Sequence, residues 1–417
     1  MKNDLSKIYT HDIELASVCE TDKRRTYLKV LFIKIFISTS IILPIRILYM
    51  MSFNIIYGEV AFLKSIFSLT ITFFELPTGI IADKISRKKS LMLSAIFFSI
   101  HSIFYLICPN LVGFTITQVC LALSTTFMSG ADSAYLHEYI EKNTKDEYVD
   151  VASNITFFNT IAAAVFSIIS SILFNIDNKL NFIITAVMGL IALCIITSLP
   201  EGKVKNKEKV EINIFKEYLN QIRNLILYFL KDKYLLSLTV LTAINFSFLI
   251  FNFEYYQILL KANKFPIVLM GILYSTFMIL GGVGSKISAK IIKRIGGFNT
   301  LRLYTGLIAI SYTLFSIANN LLLIFVGIVI QQICFGGWGL LIENVVLEKS
   351  PSSDVKSTMA SLNSLIINLF KGFLIIVLGI MTNYFSYKII YVIMAIILII
   401  ILGVLRVSRN SSEDFYS

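Results

Sequence analysis

Twelve apolar runs, each long enough to cross a bilayer as a helix, follow one another along this chain. They fall at about 30–50, 58–81, 90–108, 111–137, 150–174 and 180–199, and again at about 234–260, 267–290, 300–318, 321–345, 356–381 and 386–405. A helix of roughly 20 residues covers the ~30 Å of bilayer hydrocarbon. The runs are continuous and do not alternate at period two, so strands of a membrane barrel do not fit them. Charged residues make up 15% of the chain, where a soluble domain carries about 25%. The expected fold is therefore an all-α integral membrane protein with twelve transmembrane helices.

The net charge of +11 does not point to nucleic acid, because the cations cluster in alternate loops. One set of connections holds Lys2, Lys7, Lys23, Arg24 and Arg25, then Lys142 and Lys145, the 200–233 segment, Lys286–Arg302, Lys349, Lys356, Arg406 and Arg409. The other set, with "SFNIIY", "CPN", "FNIDNK" and "TNYFS" among it, is short and nearly uncharged. Lysine and arginine mark the cytoplasmic loops of membrane proteins, so both termini are expected in the cytoplasm of a multi-pass cell-membrane protein. Residues 1–29 are polar and charged and do not read as a cleavable signal peptide. The five cysteines are scattered, with neither disulfide nor metal-ligand spacing.

The segment 200–233 divides the spans six to six. The expected divisions are a tail (1–29), a six-helix half (30–199), a linker (200–233), a second half (234–405) and a closing tail (406–417). From Ile212 to Phe229 the linker reads as an amphipathic helix, with Ile214, Tyr218, Ile222, Leu225 and Phe229 on one face. It suits a membrane surface, or else a partner. "GIIADKISRKKSL" (79–91) aligns with "AKIIKRIGGFNTL" (289–301), 210 residues later. A weaker echo links the stretch from about 129 to 336–349. Such a repeat implies two pseudo-symmetric halves with a central site between them.

The stretch "ELPTGIIADKISRKK" after the second span has a pattern of its own. Gly79, Asp83, Lys84, Arg87 and Lys88 fit G-x-x-x-D-R/K-x-G-R/K-R/K, with Ser86 where the second glycine usually stands. In this the chain resembles the major facilitator superfamily, and "ELPTG" with "SGADSAYLHEYI" is similar to its bacterial drug-efflux-like members. The resemblance implies secondary transport by alternating access, and a contact from Asp83 to the start of the eleventh helix, around Asp354–Thr358. That contact would latch the halves together, since a helix N-terminus favours an anion. The cations Arg87, Lys88 and Lys89 would set orientation and meet anionic lipid headgroups. A topology signal without a latch explains the cations but not Gly79 or Asp83.

Ionisable residues inside spans face a cavity or a partner, or reach a surface. Lys34, Glu59, Glu138 and Glu254 lie within reach of a surface and would snorkel there. His101 reads as a packing residue or a proton relay. Arg46, beside Pro44, calls for an anionic substrate, a carboxylate such as Glu59, or escape to the outer surface. Asp132, Glu75 and Glu343 are the proton-coupling candidates, against a purely structural hydrogen bond. Arg46, Tyr49, Glu59, Glu254 and Lys371 are the candidates for a substrate cavity. The phenylalanines of "FSFLIFNFEYY" (246–256) would line an apolar pocket or face lipid.

No phosphate-binding loop and no H-E-x-x-H motif is present, so no metal or cofactor is expected and the chain does not read as an enzyme. The expected function is proton-coupled efflux, by antiport, of a small amphipathic solute or drug, from a monomer whose partners are its substrate, protons and membrane lipids. The alternatives are a carrier of an organic anion, motivated by Arg46, Lys64 and Lys371, and a non-transporting membrane sensor or scaffold.

Overall fold

The computed structural model describes residues 25–38, 41–84, 86–129, 131–132, 135–136, 148–200, 233–342 and 353–413, and the regular structure among them is helical throughout. The first half comprises α1 (25–38), α2 (Arg46–Met51), α3 (Tyr57–Lys84), α4 (Arg87–Ile107), α5 (Leu111–Met128), α6 (Tyr148–Ile176) and α7 (Leu180–Thr197). The second half comprises α8 (Lys233–Ala262), a 3-10 turn (Ile267–Leu269), α9 (Met270–Ile295), α10 (Gly297–Ile317), α11 (Leu321–Gly336), α12 (Trp338–Ile342), α13 (Ser353–Tyr384) and α14 (Tyr387–Glu413). By length and composition, eight of the described helices are able to cross a membrane, and the apolar segments Leu321–Gly336 and Tyr387–Gly403 are shorter. The amphipathic stretch expected at 212–229, Glu138 and Glu343 lie outside the described residues.

The span expected at 30–50 is not one helix. α1 is described to residue 38, a turn occupies 41–45, and α2 starts at Arg46. Pro44 supplies the reason: it has no N–H to donate and it pushes the residue before it out of helical geometry. The run of apolar side chains continues straight through the break, so hydropathy does not register it. The break leaves backbone groups without helical partners inside the bundle, and these become part of the site described below.

The 210-residue repeat is visible in the helix starts. Ser86 caps α4 and Gly296 caps α10, 210 positions apart. Asn110 caps α5 by accepting from the Gly113 N–H, and Asn320 caps α11 by accepting from the Leu323 N–H, again 210 apart. Ser86 has φ −179°, extended backbone open to any residue, whereas Gly296 has φ 78°, a conformation that favours glycine. A serine in the first-half turn is therefore compatible with its geometry.

The loops after α2, α4, α6, α8, α10 and α13 share one face of the bundle, called distal here; the chain enters at 25 and leaves the first half at 200 on the proximal face. The halves meet mainly through α3 against α13, α6 against α9 and α2 against α8. Small residues set the closest approaches. A Cβ added at Gly379 would lie 2.1 Å from the Ala61 Cβ, and one at Gly271 would lie 2.0 Å from the Ser167 carbonyl oxygen. Packing of this kind, with backbones in near contact, is what holds helices together where lipid is as apolar as the side chains.

Candidate functional site

The break before α2 places Arg46 at the first turn of a short helix, buried between the halves. Its Nη2 donates to both carboxylate oxygens of Glu254 on α8, each at 2.6 Å. Lys64 of α3 donates to the same carboxylate at 2.6 Å. Arg46 and Glu254 are 6% and 7% exposed at their side chains, Lys64 15%. One carboxylate from the second half is thus gripped by two cations from the first. The Arg46 Nε, also buried, has no hydrogen-bond partner.

Gln257 lies three residues beyond Glu254, on the same face of α8. Its Nε2 donates to the Leu43 carbonyl at 2.8 Å and to the Tyr274 hydroxyl at 3.1 Å, and its Oε1 accepts from the Ile47 N–H at 3.1 Å. These are the backbone groups that the Pro44 break releases. An unpaired amide or carbonyl in a dry interior costs roughly 1–3 kcal/mol, so Gln257 offsets the break from across the interface. The Tyr255 hydroxyl adds a bond to the Tyr57 carbonyl at 2.6 Å. Ser171 and Ser275 bridge α6 to the start of α9, through the Val268 carbonyl and the Ala164 carbonyl. All of these bridges lie in the distal half of the bundle, so in this structure the halves are joined on the distal face.

Several candidates find partners other than those expected. Arg46 pairs with Glu254, 208 residues away, and not with Glu59 across the adjoining loop; Glu59 instead accepts the Ile56 N–H at 2.9 Å, at the start of α3. Glu254 does not reach a surface: it is buried. Lys34 likewise does not snorkel but pairs with Asp132 at 2.6 Å, beside a cavity of about 200 Å³ that also touches Val30, Leu91 and Tyr135. That pair and cavity belong to the first half alone. Tyr49 donates to the Tyr105 carbonyl and packs on Phe182, 4.2 Å between ring centres, inside the first-half core. His101 is buried, bonded through Nδ1 to the Phe98 carbonyl and packed at a tilt against the Phe98 ring.

Deeper in the interface, on α13, Lys371 is 9% exposed and donates to Asn368 Oδ1 at 2.6 Å. It lies over the Phe246 ring, 6.0 Å from its centre, and within electrostatic reach of Glu75 and Lys64. Among the described residues of the interface, three cations (Arg46, Lys64, Lys371) face two carboxylates (Glu75, Glu254). The balance is one positive charge. Of the expected latch, Lys88 binds the end of α7 through the Thr197 and Leu199 carbonyls, at 2.8 and 2.7 Å, as a cation at a helix C-terminus should, and Arg87 opens α4. The side chains of Gly79, Asp83, Lys84 and Asp354–Thr358 lie outside the described residues. Sequence reasoning noted Lys64 but missed Gln257; the i, i+3 spacing to Glu254 is the signal that was there to read.

The sequence profile of the Major Facilitator Superfamily matches residues 30–365. No curated protein sequence matches the chain. Among solved structures, a mutant of the nucleoside transporter NupG is similar over 92% of this chain and 99% of its own, with TM-score 0.74 and 15% identity. A POT family transporter in complex with a thioalcohol-conjugated peptide is similar over 93% of this chain and 96% of its own, with TM-score 0.71 and 15% identity. At such identity these structures speak for the fold, while the profile covers most of the chain: it belongs to the Major Facilitator Superfamily and is a membrane transporter, not an enzyme.

Proposed function

We propose that this chain is a secondary active transporter that carries a small organic anion between its halves by alternating access, coupled to protons. The observation that carries the reading is Glu254 held by Arg46 and Lys64 from the opposite half. To open the distal face, Glu254 must leave both cations, and three unpaired buried charges are too costly to leave behind. An anionic group of the substrate replaces the carboxylate on the cations, and a proton on Glu254 removes the charge left on α8. Linkage then makes anion and proton bind together, which favours symport over the exchange expected from the drug-efflux-like resemblance. The interface's excess positive charge likewise suits an anion better than a lipophilic cation.

Of the earlier coupling candidates, Glu75 stays in the interface opposite Lys371, while Asp132 is paired within one half; Glu254 joins Glu75 as the carboxylate we assign to coupling. With the cation-rich loops cytoplasmic, the proximal face opens to the cytoplasm of the cell membrane, and the Asp83 contact latches that face when the distal one opens. The test is flux into liposomes containing the purified protein. Labelled carboxylates should accumulate when an inward proton gradient is imposed, and ethidium should not. Ethidium movement without carboxylate movement would return the protein to the drug-efflux reading.

A further inference from the structure

Below the Arg46–Glu254–Lys64 cluster, the second half carries a row of aromatic rings. Phe253, Phe335, Phe246 and Trp338 form a ladder of nearly parallel rings. Neighbouring centres are 5.9, 6.0 and 6.2 Å apart, with planes inclined by only 11°, 7° and 12°. Phe246 and Phe253 are two turns apart on α8, so they share a face; Phe335 and Trp338 come from α11 and α12. The ladder runs from the level of Glu254 down to that of Lys371, about 12 Å along α8 at 1.5 Å per residue.

Two donors stand at its lower end. The Lys371 ammonium has three hydrogens, sits over Phe246 and gives one of them to Asn368. Trp338 is 1% exposed, and its indole Nε1 is buried without a hydrogen-bond partner. An indole N–H in the interior ordinarily finds an acceptor. Core packing alone accounts for neither the unpartnered donor nor an ammonium set over a ring. Phe246, Phe335 and Phe253 are partly buried rather than sealed, so each keeps some uncovered ring surface. A cation above a ring, a second donor and flat apolar faces together suit a planar aromatic group bearing a carboxylate.

We propose that Lys371, Phe246 and Trp338, all of the second half, form a second subsite on that half's side of the interface, which binds the aromatic ring and carboxylate of a planar aryl anion. This rests on the anion-carrier reading and names the substrate class. Trp338 is the chain's one tryptophan, so its fluorescence reports on the subsite alone. The experiment titrates the full-length protein in detergent with trans-cinnamate and with its ring-saturated counterpart, trans-3-cyclohexylacrylate, following both Trp338 emission and thermal stabilisation. Cinnamate should bind at least tenfold more tightly and change the emission. Phe246→Leu should weaken cinnamate by about two- to tenfold, the worth of one aromatic pair, and leave the cyclohexyl compound unchanged; Lys371→Gln should weaken both. Equal stabilisation by the two compounds, with Trp338 emission unmoved, would overturn the aryl subsite and leave the anion reading standing. If neither carboxylate stabilises the protein while ethidium does, both proposals fail. The two probes are compared on the unaltered protein, so the result stands even where a variant does not fold.

Discussion

At the scale of single residues, the interface is built from groups that satisfy one another across long stretches of sequence. Gln257 shows this most plainly, since one amide serves the carbonyl and the N–H that a proline set free in the other half. Gln257→Leu should therefore lower stability by roughly 1–3 kcal/mol, the cost of leaving buried polar groups unmade, read as a drop in the thermal unfolding midpoint in detergent. Gln257→Glu keeps an acceptor for Ile47 and loses the donor to Leu43. The sequence made Arg46, Lys64 and Lys371 legible as charges in want of an anion, because charge in an apolar run is costly whatever surrounds it, whereas Glu254 read as a charge that would snorkel to a surface. The sequence did not reveal the partners. Glu59 is close to Arg46 along the chain and Glu254 is not, and chain distance says nothing about which helices touch.

At the scale of helices, apolar runs and turn residues carried most of the information: α4, α7 and α10 begin and end within a few residues of the expected limits. The exception, the break before α2, was announced only by Pro44, since hydropathy measures side chains and the break is a backbone event. Close helix contacts were the least legible feature, because a glycine in a span does not say which neighbour it admits. Gly379 admits Ala61. In Gly379→Val the added carbons meet α3, and overpacking of about 1–3 kcal/mol would shift the open-to-closed ratio of the distal face by roughly 5–150-fold. A single cysteine in place of Ile55, which is buried near that face, should then react much faster with an impermeant maleimide. Unchanged protection would mean that the α3–α13 contact does not govern closure.

At the scale of the molecule, two halves with the same internal spacing meet on their distal sides, joined there by the Arg46–Glu254–Lys64 charges. In the function proposed above, one group of residues serves as both gate and binding site, and this links solute to conformation without a separate relay. The most direct test of that claim is the distance between spin labels on Ile56 and Phe385, exposed positions on the distal ends of opposite halves. In the unaltered protein the short separation should dominate, and a bound carboxylate or acidification should raise the long one. Glu254→Gln should raise it without either. Identical distance distributions for the unaltered protein and Glu254→Gln, unmoved by carboxylate or pH, would contradict the account.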